Sequence, residues 1–556
     1  MLQKPYDRTP PMKTDLPGKN AIPKNRMTIN RLFAYTRIPR IRPALTMALC
    51  AATLAGCAVG PDYVQPPIDV PATYKEDSLW KTAKPSDEYP RGAWWSVFKD
   101  PELDRLMVLL NKQNLTIAQA EAQYRQAQAL LRQAQSSLFP SLSLDASRTR
   151  GFQSNTSTSA STQNAFVGNL SWEVDIWGGV RRNVEAGEAG RQASAAQLEA
   201  IKLSSQAQMA TAYLQLVITD RQVKQLEESE TLLAESLRLT KNQFAVGIVS
   251  DADVAQAESQ LKTAQAATVD MKLARSQLEH SIAVSIGQAP STLTIDMAKA
   301  DPYLPQIPAG LPSALLQRRP DVASAERKVA QANALIGVAK SAFFPALSIS
   351  ASGGFRNSSF ADLFTVPNRI WSIGPQIALS IFDAGLRSAQ TDQAIAVYDE
   401  TVAAYRQKVL IAFQEVEDNL AAQAMLGDAS DMQTAALNAA KRAETITMNQ
   451  YKAGVVSYIN VLIAQNTRIA AENTLYNVKK RQFTSSVALI AAIGGQWETP
   501  KQTAKYRHGI TGKNGAENGN EKLGTFCYRI NDSSFGTDSV TYRQIFKSDK
   551  RENTWI

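Results

Sequence analysis

The chain has 556 residues, 44% of them hydrophobic and 20% charged, enough for two or three domains. Its net charge of +9 sits at the ends: residues 1–56 carry ten Lys/Arg against two Asp and residues 500–556 carry ten against six Asp/Glu, so the remainder is slightly acidic and nothing points to nucleic acid. Three cysteines make no disulfide framework, and two histidines, His280 in helix-like sequence and His508 in the tail, make no Cys/His metal-ligand spacing, so no metal or other cofactor is expected.

Residues 1–56 read as a leader. Arg31, Arg37, Arg40 and Arg42 precede the apolar run from Ala44 to Leu54, which is too short to span a bilayer comfortably, and small residues follow. That order is a secretory signal. Met27 offers an alternative start within it. Leu54-Ala55-Gly56-Cys57 resembles the lipobox of bacterial lipoproteins, in which the cysteine thiol takes a diacylglycerol and becomes the mature N-terminus. Ala58 after it, in place of Asp, implies by the same resemblance sorting to the outer membrane. Residues 57–95 open with Val59-Gly60-Pro61-Asp62-Tyr63 and stay studded with proline to Pro90, which predicts an extended tether over the body.

Residues 96–290 follow one plan. Pro101 behind Asp100 starts a helix, and Glu102 to Leu138, rich in Ala, Gln and Leu with no internal Gly or Pro, predicts one continuous helix. Phe139-Pro140 opens a strand over about 140–150, and a second runs over about 165–177. In that second strand Phe166, Leu170, Trp172, Val174 and Ile176 alternate with Asn169, Ser171, Glu173 and Asp175. Period two gives one apolar and one polar face, as a barrel with a wet lumen and a lipid exterior requires, and it puts Glu173 and Asp175 on the lumen side. A long helix follows from Gly179 to Val246, about 100 Å at ~1.5 Å per residue, and a shorter one returns from Ser250 to Ile286.

After a linker over 291–312, residues 313–497 repeat the plan about 206 residues on. The predicted elements are a helix to Phe343, strands over about 346–356 and 370–382, a long helix from Gly385 to Ala453 and a return helix from Ser457 to Ile493. Trp371, Ile373, Ile377, Leu379 and Ile381 alternate with Ser372, Gly374, Gln376 and Ser380. Two copies at so long a period argue for duplication and pseudo-symmetry rather than a solenoid. Gly247 and Gly454 fall where each long helix must end and reverse, with Ser250 and Ser457 placed to cap the returning helices. The tail over 498–556 is polar, basic and without periodicity, and is expected to be disordered.

Four strands cannot close a barrel, and open edges in a bilayer leave unpaired backbone groups. The chain must therefore oligomerise: two copies give eight strands, three give twelve. Helices of ~100 Å with polar surfaces cannot lie in a ~30 Å hydrocarbon core and must project from it.

Together these features resemble the outer-membrane factor family, the TolC-like and OprM-like efflux ducts, and within it the NodT-type lipoprotein branch. The resemblance is carried by Cys57 in its lipobox, Val59 to Tyr63, Trp94-Trp95, Arg318-Arg319-Pro320-Asp321, the two Phe-Pro strand starts and the paired Gly247 and Gly454 turns, and it covers about 57–497. It implies an α+β fold: an outer-membrane β-barrel of four strands per protomer and twelve in a homotrimer, continued by a long α-helical periplasmic barrel with an internal direct repeat. It implies the exit duct of a tripartite efflux system, passively conducting small molecules from an RND-type inner-membrane pump through a periplasmic adaptor. It also implies a gate at the helix tips, where Asp253 and Tyr451 match positions that bond within and between protomers. Asn460 stands where the family often has Asp, so an aspartate ring at this tip would come from Asp253 or Asp251.

Two further functions fit that plan less well. A duct for type I protein secretion shares the architecture, and a neighbouring pump gene discriminates. A non-channel periplasmic coiled-coil scaffold does not explain the alternating strands with Trp172 and Trp371. An enzyme is not expected, since no Ser-His-Asp set or phosphate loop occurs, and Asp251/Asp253 and Glu227/Glu228 read as solvated helix faces.

Overall fold

The computed structural model describes residues 58–69, 93–152, 160–298, 302–305, 307 and 319–495. Cys57, the leader and the 498–556 tail lie outside these residues, as do parts of the tether and of the linker.

The described body begins with Trp94–Phe98, a short turn whose Trp94, Trp95 and Phe98 are buried. Asp100 then accepts hydrogen bonds from the backbone N–H of Glu102 and Leu103, at 2.9 and 3.2 Å, and Pro101 takes the first position of α1 (Pro101–Gln113). The single helix expected from Glu102 to Leu138 is broken at Asn114, and α2 (Leu115–Ser136) starts afresh. The physical reason is the Asn114 side chain. Its carbonyl caps Ile117 N–H at 2.8 Å, and its amide donates to the Ser285 carbonyl at 2.7 Å, an exchange that a helical Asn114 could not make.

The strands β1 (Ser141–Gly151) and β2 (Ser161–Val174) lead into α3 (Gly179–Ala245) and the return helix α4 (Asp251–Ser285). Beyond the linker, α5 (Pro320–Ser341) leads into β3 (Ala346–Asn357), β4 (Arg369–Ala378), α6 (Leu386–Lys452) and α7 (Tyr458–Ala492). The halves match in length: α3 and α6 have 67 residues, α4 and α7 have 35, and α2 and α5 have 22. Two strands end earlier than the alternation suggested, at Val174 and at Ala378.

The four strands form one antiparallel sheet in the order β1-β2-β3-β4, so β2 and β3 join the halves while β1 and β4 stand at its edges. Large apolar side chains concentrate at mid-length of the long helices. There Phe98, Leu103, Leu106, Met107 and Leu110 pack with Met209, Leu214 and Ile218 of α3, Val409 and Val416 of α6, and Leu489 of α7. Towards the sheet the buried face of α3 is a small-residue stripe, Ala186, Ala189, Ala193 and Ala196, which admits α5 so closely that Ser324 bonds the Ala193 carbonyl at 2.9 Å. Towards the tips the buried residues are Leu226, Ser229, Leu233, Ser236 and Thr240, spaced three and four apart as in a coiled-coil seam.

Candidate functional site

Three places on this frame carry the residues singled out by sequence: the sheet, the strand-to-helix junctions and the helix tips.

Register assigns every strand residue to a face. Rows such as Leu144–Gly168–Gly353–Trp371 and Leu142–Leu170–Ala351–Ile373 make one face apolar, with Trp172, Ile349 and Ile377 below them. Rows such as Ser143–Asn169–Ser352–Ser372 and Ser141–Ser171–Ser350–Gly374 make the other polar. Glu173 lies on that polar face opposite Ser348, and Asp145 accepts a 2.5 Å hydrogen bond from Asn169 there. Among the described residues no helix is long and apolar enough to cross a membrane.

Asp175 is not on the polar strand face. It lies past the end of β2, where its carboxylate accepts from Val180 N–H at 3.0 Å and Arg181 N–H at 2.9 Å and pairs with the Arg181 side chain. A carboxylate at a helix N-terminus satisfies backbone donors that have no intrahelical partner, and that gain outweighs continuing the strand. Asp383 does the same for α6, accepting from Gly385 N–H and pairing with Arg387 at 2.5 Å.

The Val59-Gly60-Pro61-Asp62-Tyr63 stretch is strapped across the helices below the sheet. Val59 N–H donates to the Trp177 carbonyl at 2.9 Å. Arg182, itself buried, bonds the Val59 and Gly60 carbonyls and pairs with Asp62 at 2.8 Å, and Asn333 donates to the Pro61 carbonyl at 3.0 Å. Tyr63 donates to Glu326, and burial is the first reason its hydroxyl is pushed well above the usual tyrosine range. Gly60, at φ 106°, leaves no room for a side chain: a Cβ would come within 2.5 Å of Gly337 Cα.

At the tips Gly247 (φ 80°) and Gly454 (φ 74°) close the long helices, and Ile248 N–H and Val455 N–H each reach back to Gln243 and Gln450 carbonyls at 2.9 Å. Ser250 and Asp253 form a reciprocal capping box on α4, the Asp253 carboxylate accepting from Ser250 N–H at 3.0 Å and Ser250 Oγ at 2.7 Å. Asp251 sits exposed in the first turn. The second tip differs: Ser457 makes no side-chain cap, because the exposed Asn460 presents an amide donor to its hydroxyl at 3.2 Å. Tyr451 is buried against Tyr458, their rings 5.6 Å apart. Its hydroxyl is 3.2 Å from Thr240 Oγ1 of α3, and among the described residues no hydrogen bond joins it to Asp251 or Asp253. Burial raises the Tyr451 hydroxyl pKa, Thr240 opposes that, and the nearby Asp253 charge adds to it.

Sequence reasoning did not find Thr240, Tyr458 or the ionic cluster above the tips. In that cluster buried Arg468 pairs with Glu472 and with Glu444, both at 2.6 Å, while Lys441 reaches Glu472 at 3.0 Å. The Arg468/Glu472 pair, four apart on α7, was a visible signal.

The model of the outer membrane efflux protein family matches residues 106–288 and 311–495. The chain belongs to that family. It is 31% identical to the antibiotic efflux pump outer membrane protein ArpC of Pseudomonas putida over 468 residues, which is 82% of this chain and 95% of the relative. The toluene efflux pump outer membrane protein TtgC, also of Pseudomonas putida, matches with the same identity and coverage. Among solved structures, the CmeC outer membrane channel of Campylobacter jejuni superimposes with a TM-score of 0.73 at 26% identity, covering 81% of this chain and 97% of that one. As an outer membrane efflux protein the chain is the exit duct of an efflux system, with a β domain in the outer membrane and an α-helical periplasmic barrel. The family and these neighbours are transport channels.

Proposed function

We propose that three copies of this chain close a twelve-stranded barrel and that small molecules cross it passively, handed on by an RND-type inner-membrane pump through a periplasmic adaptor. The protein has no catalytic step in this reading. The carrying observation is the sheet: four strands, two free edges, and segregation of apolar from polar rows between its faces. Each unpaired backbone group in hydrocarbon costs several kcal/mol, so the edges demand partner strands of other copies. The polar face, with Asp145 and Glu173 against Arg356, then lines the lumen with a net negative charge and favours cations. That ArpC and TtgC are named for an antibiotic and for toluene supports small-molecule cargo over secreted protein.

Cys57 anchors the protomer by its acyl chains. Support comes from the strap, since the Val59–Trp177 bond holds the start of the described chain at the foot of the sheet, one or two residues from Cys57. The tips form the gate. Tyr451, bonded to Thr240, fixes α6 against α3, while Asp253, Asp251 and Asn460 lie at the turns where copies converge.

Light scattering of the detergent-solubilised protein, followed by conductance in planar bilayers, tests the reading. A trimer mass and cation-selective channels are expected; a stable folded monomer that does not conduct would overturn it.

A further inference from the structure

The apolar face of the sheet changes character at the end away from the helices. Along β1 it reads Leu142, Leu144, Ala146, then Arg148 and Arg150. Register sets Arg148 opposite Asn164 and Arg150 opposite Thr162, two and four residues beyond Phe166 on β2. At ~3.3 Å per residue they stand about 7 and 13 Å farther along the strand than Phe166. Arg369 opens β4 on the same face, opposite Phe355, whose own partner is Phe166. The three arginines are exposed, and among the described residues none has a hydrogen-bond or ion-pair partner.

An aromatic layer lies below Arg148 and Arg150 and level with Arg369. Phe364 packs edge-on against Phe166 and Phe355, each at 5.5 Å, and Trp371 is one row down. Aromatic girdles mark the boundary between hydrocarbon and headgroups in barrels of this kind. Arg369 therefore stands at the girdle and Arg148 and Arg150 just beyond it in the headgroup layer, at the end of the sheet opposite the periplasmic helices. Arginine grips phosphate oxygens through a planar pair of donors, and beside hydrocarbon such contacts are weakly screened by water.

The edges bring these residues together. Because β1 and β4 are the outer strands, closure by several copies lays β4 of one protomer antiparallel to β1 of the next. Arg369 of one copy and Arg148 and Arg150 of its neighbour then share the lipid side of each seam. We propose that each seam binds a phosphate-bearing lipid headgroup of the outer leaflet, the arginines holding phosphate and the acyl chains lying on Leu144, Trp371 and Ile373. The seam rests on the oligomeric barrel proposed above. Arg356 supplies an internal control, because it stands at the same height on the lumen face, opposite Ala165.

The test uses purified protein in detergent micelles, incubated with lipid A carrying two phosphates or with its dephosphorylated form, and reads lipid retained after washing. Light scattering and bilayer conductance are measured on the same samples. Wild type and Arg356→Gln should retain the phosphorylated lipid, and Arg148→Gln/Arg150→Gln/Arg369→Gln about ten-fold less, the loss expected from removing charge-assisted bonds. The dephosphorylated lipid should not distinguish the variants. Should the triple variant fail to assemble, the single variants Arg369→Gln and Arg148→Gln decide, each expected to lower retention several-fold. Wild type that holds both lipids equally, or variants that hold as much as wild type, overturns the site while a conducting trimer leaves the channel standing. Monomeric, non-conducting wild type overturns the barrel and the seam together.

Discussion

Tyr451 shows how much of a local arrangement depends on one distant partner. Its hydroxyl links α6 to Thr240, which also bonds the Ser236 carbonyl of its own helix at 2.9 Å. Tyr451→Phe should therefore loosen the tip by only about 0.5–1.5 kcal/mol, and Thr240→Val added to it should cost little more. Hydrogen exchange of amides around 240 and 451 measures both; fully additive losses would deny the pairing. Arg319 and Asp321 offer a second case. Arg319 is buried and bonds Asp321, Glu415 and the Ala492 carbonyl, tying the start of α5 to α6 and to the end of α7. Burial pushes the Asp321 carboxyl up, but the Arg319 hydrogen bonds and charge, with Lys408, hold it below its ordinary value. A depressed carboxylate contributes stability above its unfolded pKa, near 4, and loses it as pH falls through the folded pKa. Asp321→Asn should lower the neutral-pH stability by about 3 kcal/mol, the cost of breaking a mostly buried pair. The gap between variant and wild type should shrink below about pH 4 in thermal unfolding of the solubilised protein.

At the scale of elements, the tip turns and the return helices are set by short-range chemistry. Gly247 and Gly454 hold positive φ in open surroundings, with no atom within 4 Å of an added Cβ. An alanine there meets only the backbone penalty, about 1–2 kcal/mol, without a clash. Gly247→Ala and Gly454→Ala should increase protease nicking at their own tip and leave assembly of the sheet unchanged. The caps are unequal because Asp253 accepts where Asn460 donates. Asn460→Asp should restore the reciprocal box on α7 and stabilise that helix start by about 0.5–1 kcal/mol, visible as slower exchange of its first-turn amides.

Over the whole molecule, the sheet separates polar from apolar rows by face alone, and in the barrel proposed above those faces meet water and lipid. A lysine at Ile373, amid the apolar rows, should cost about 2–4 kcal/mol on insertion and lower the yield of assembled channel. A lysine at Ser350 points to the opposite face and should insert normally while shifting the reversal potential away from cations. Equal effects of the two would contradict the assignment of faces. The small-residue stripe on α3 near the sheet and the three-and-four spacing towards the tips divide the long helices similarly. Small residues admit close approach of neighbouring helices near the sheet, and the three-and-four spacing suits coiled-coil packing towards the tips.

The sequence by itself determined what repeats over a few residues. Period two gave the sheet its faces, and unbroken Ala/Gln/Leu runs bounded by glycine located α3, α4, α6 and α7 within one or two residues of their observed ends. Tertiary structure decided what depends on a partner far along the chain. Asn114 breaks a good helical run because Ser285 is beside it, and Asp175 leaves its alternating strand because a helix N-terminus offers two bare N–H groups. Tyr451 bonds Thr240, some two hundred residues away in sequence. Periodicity reports which way a side chain points, but a hydrogen bond forms with whichever group the fold brings within 3 Å, and no local pattern encodes that choice.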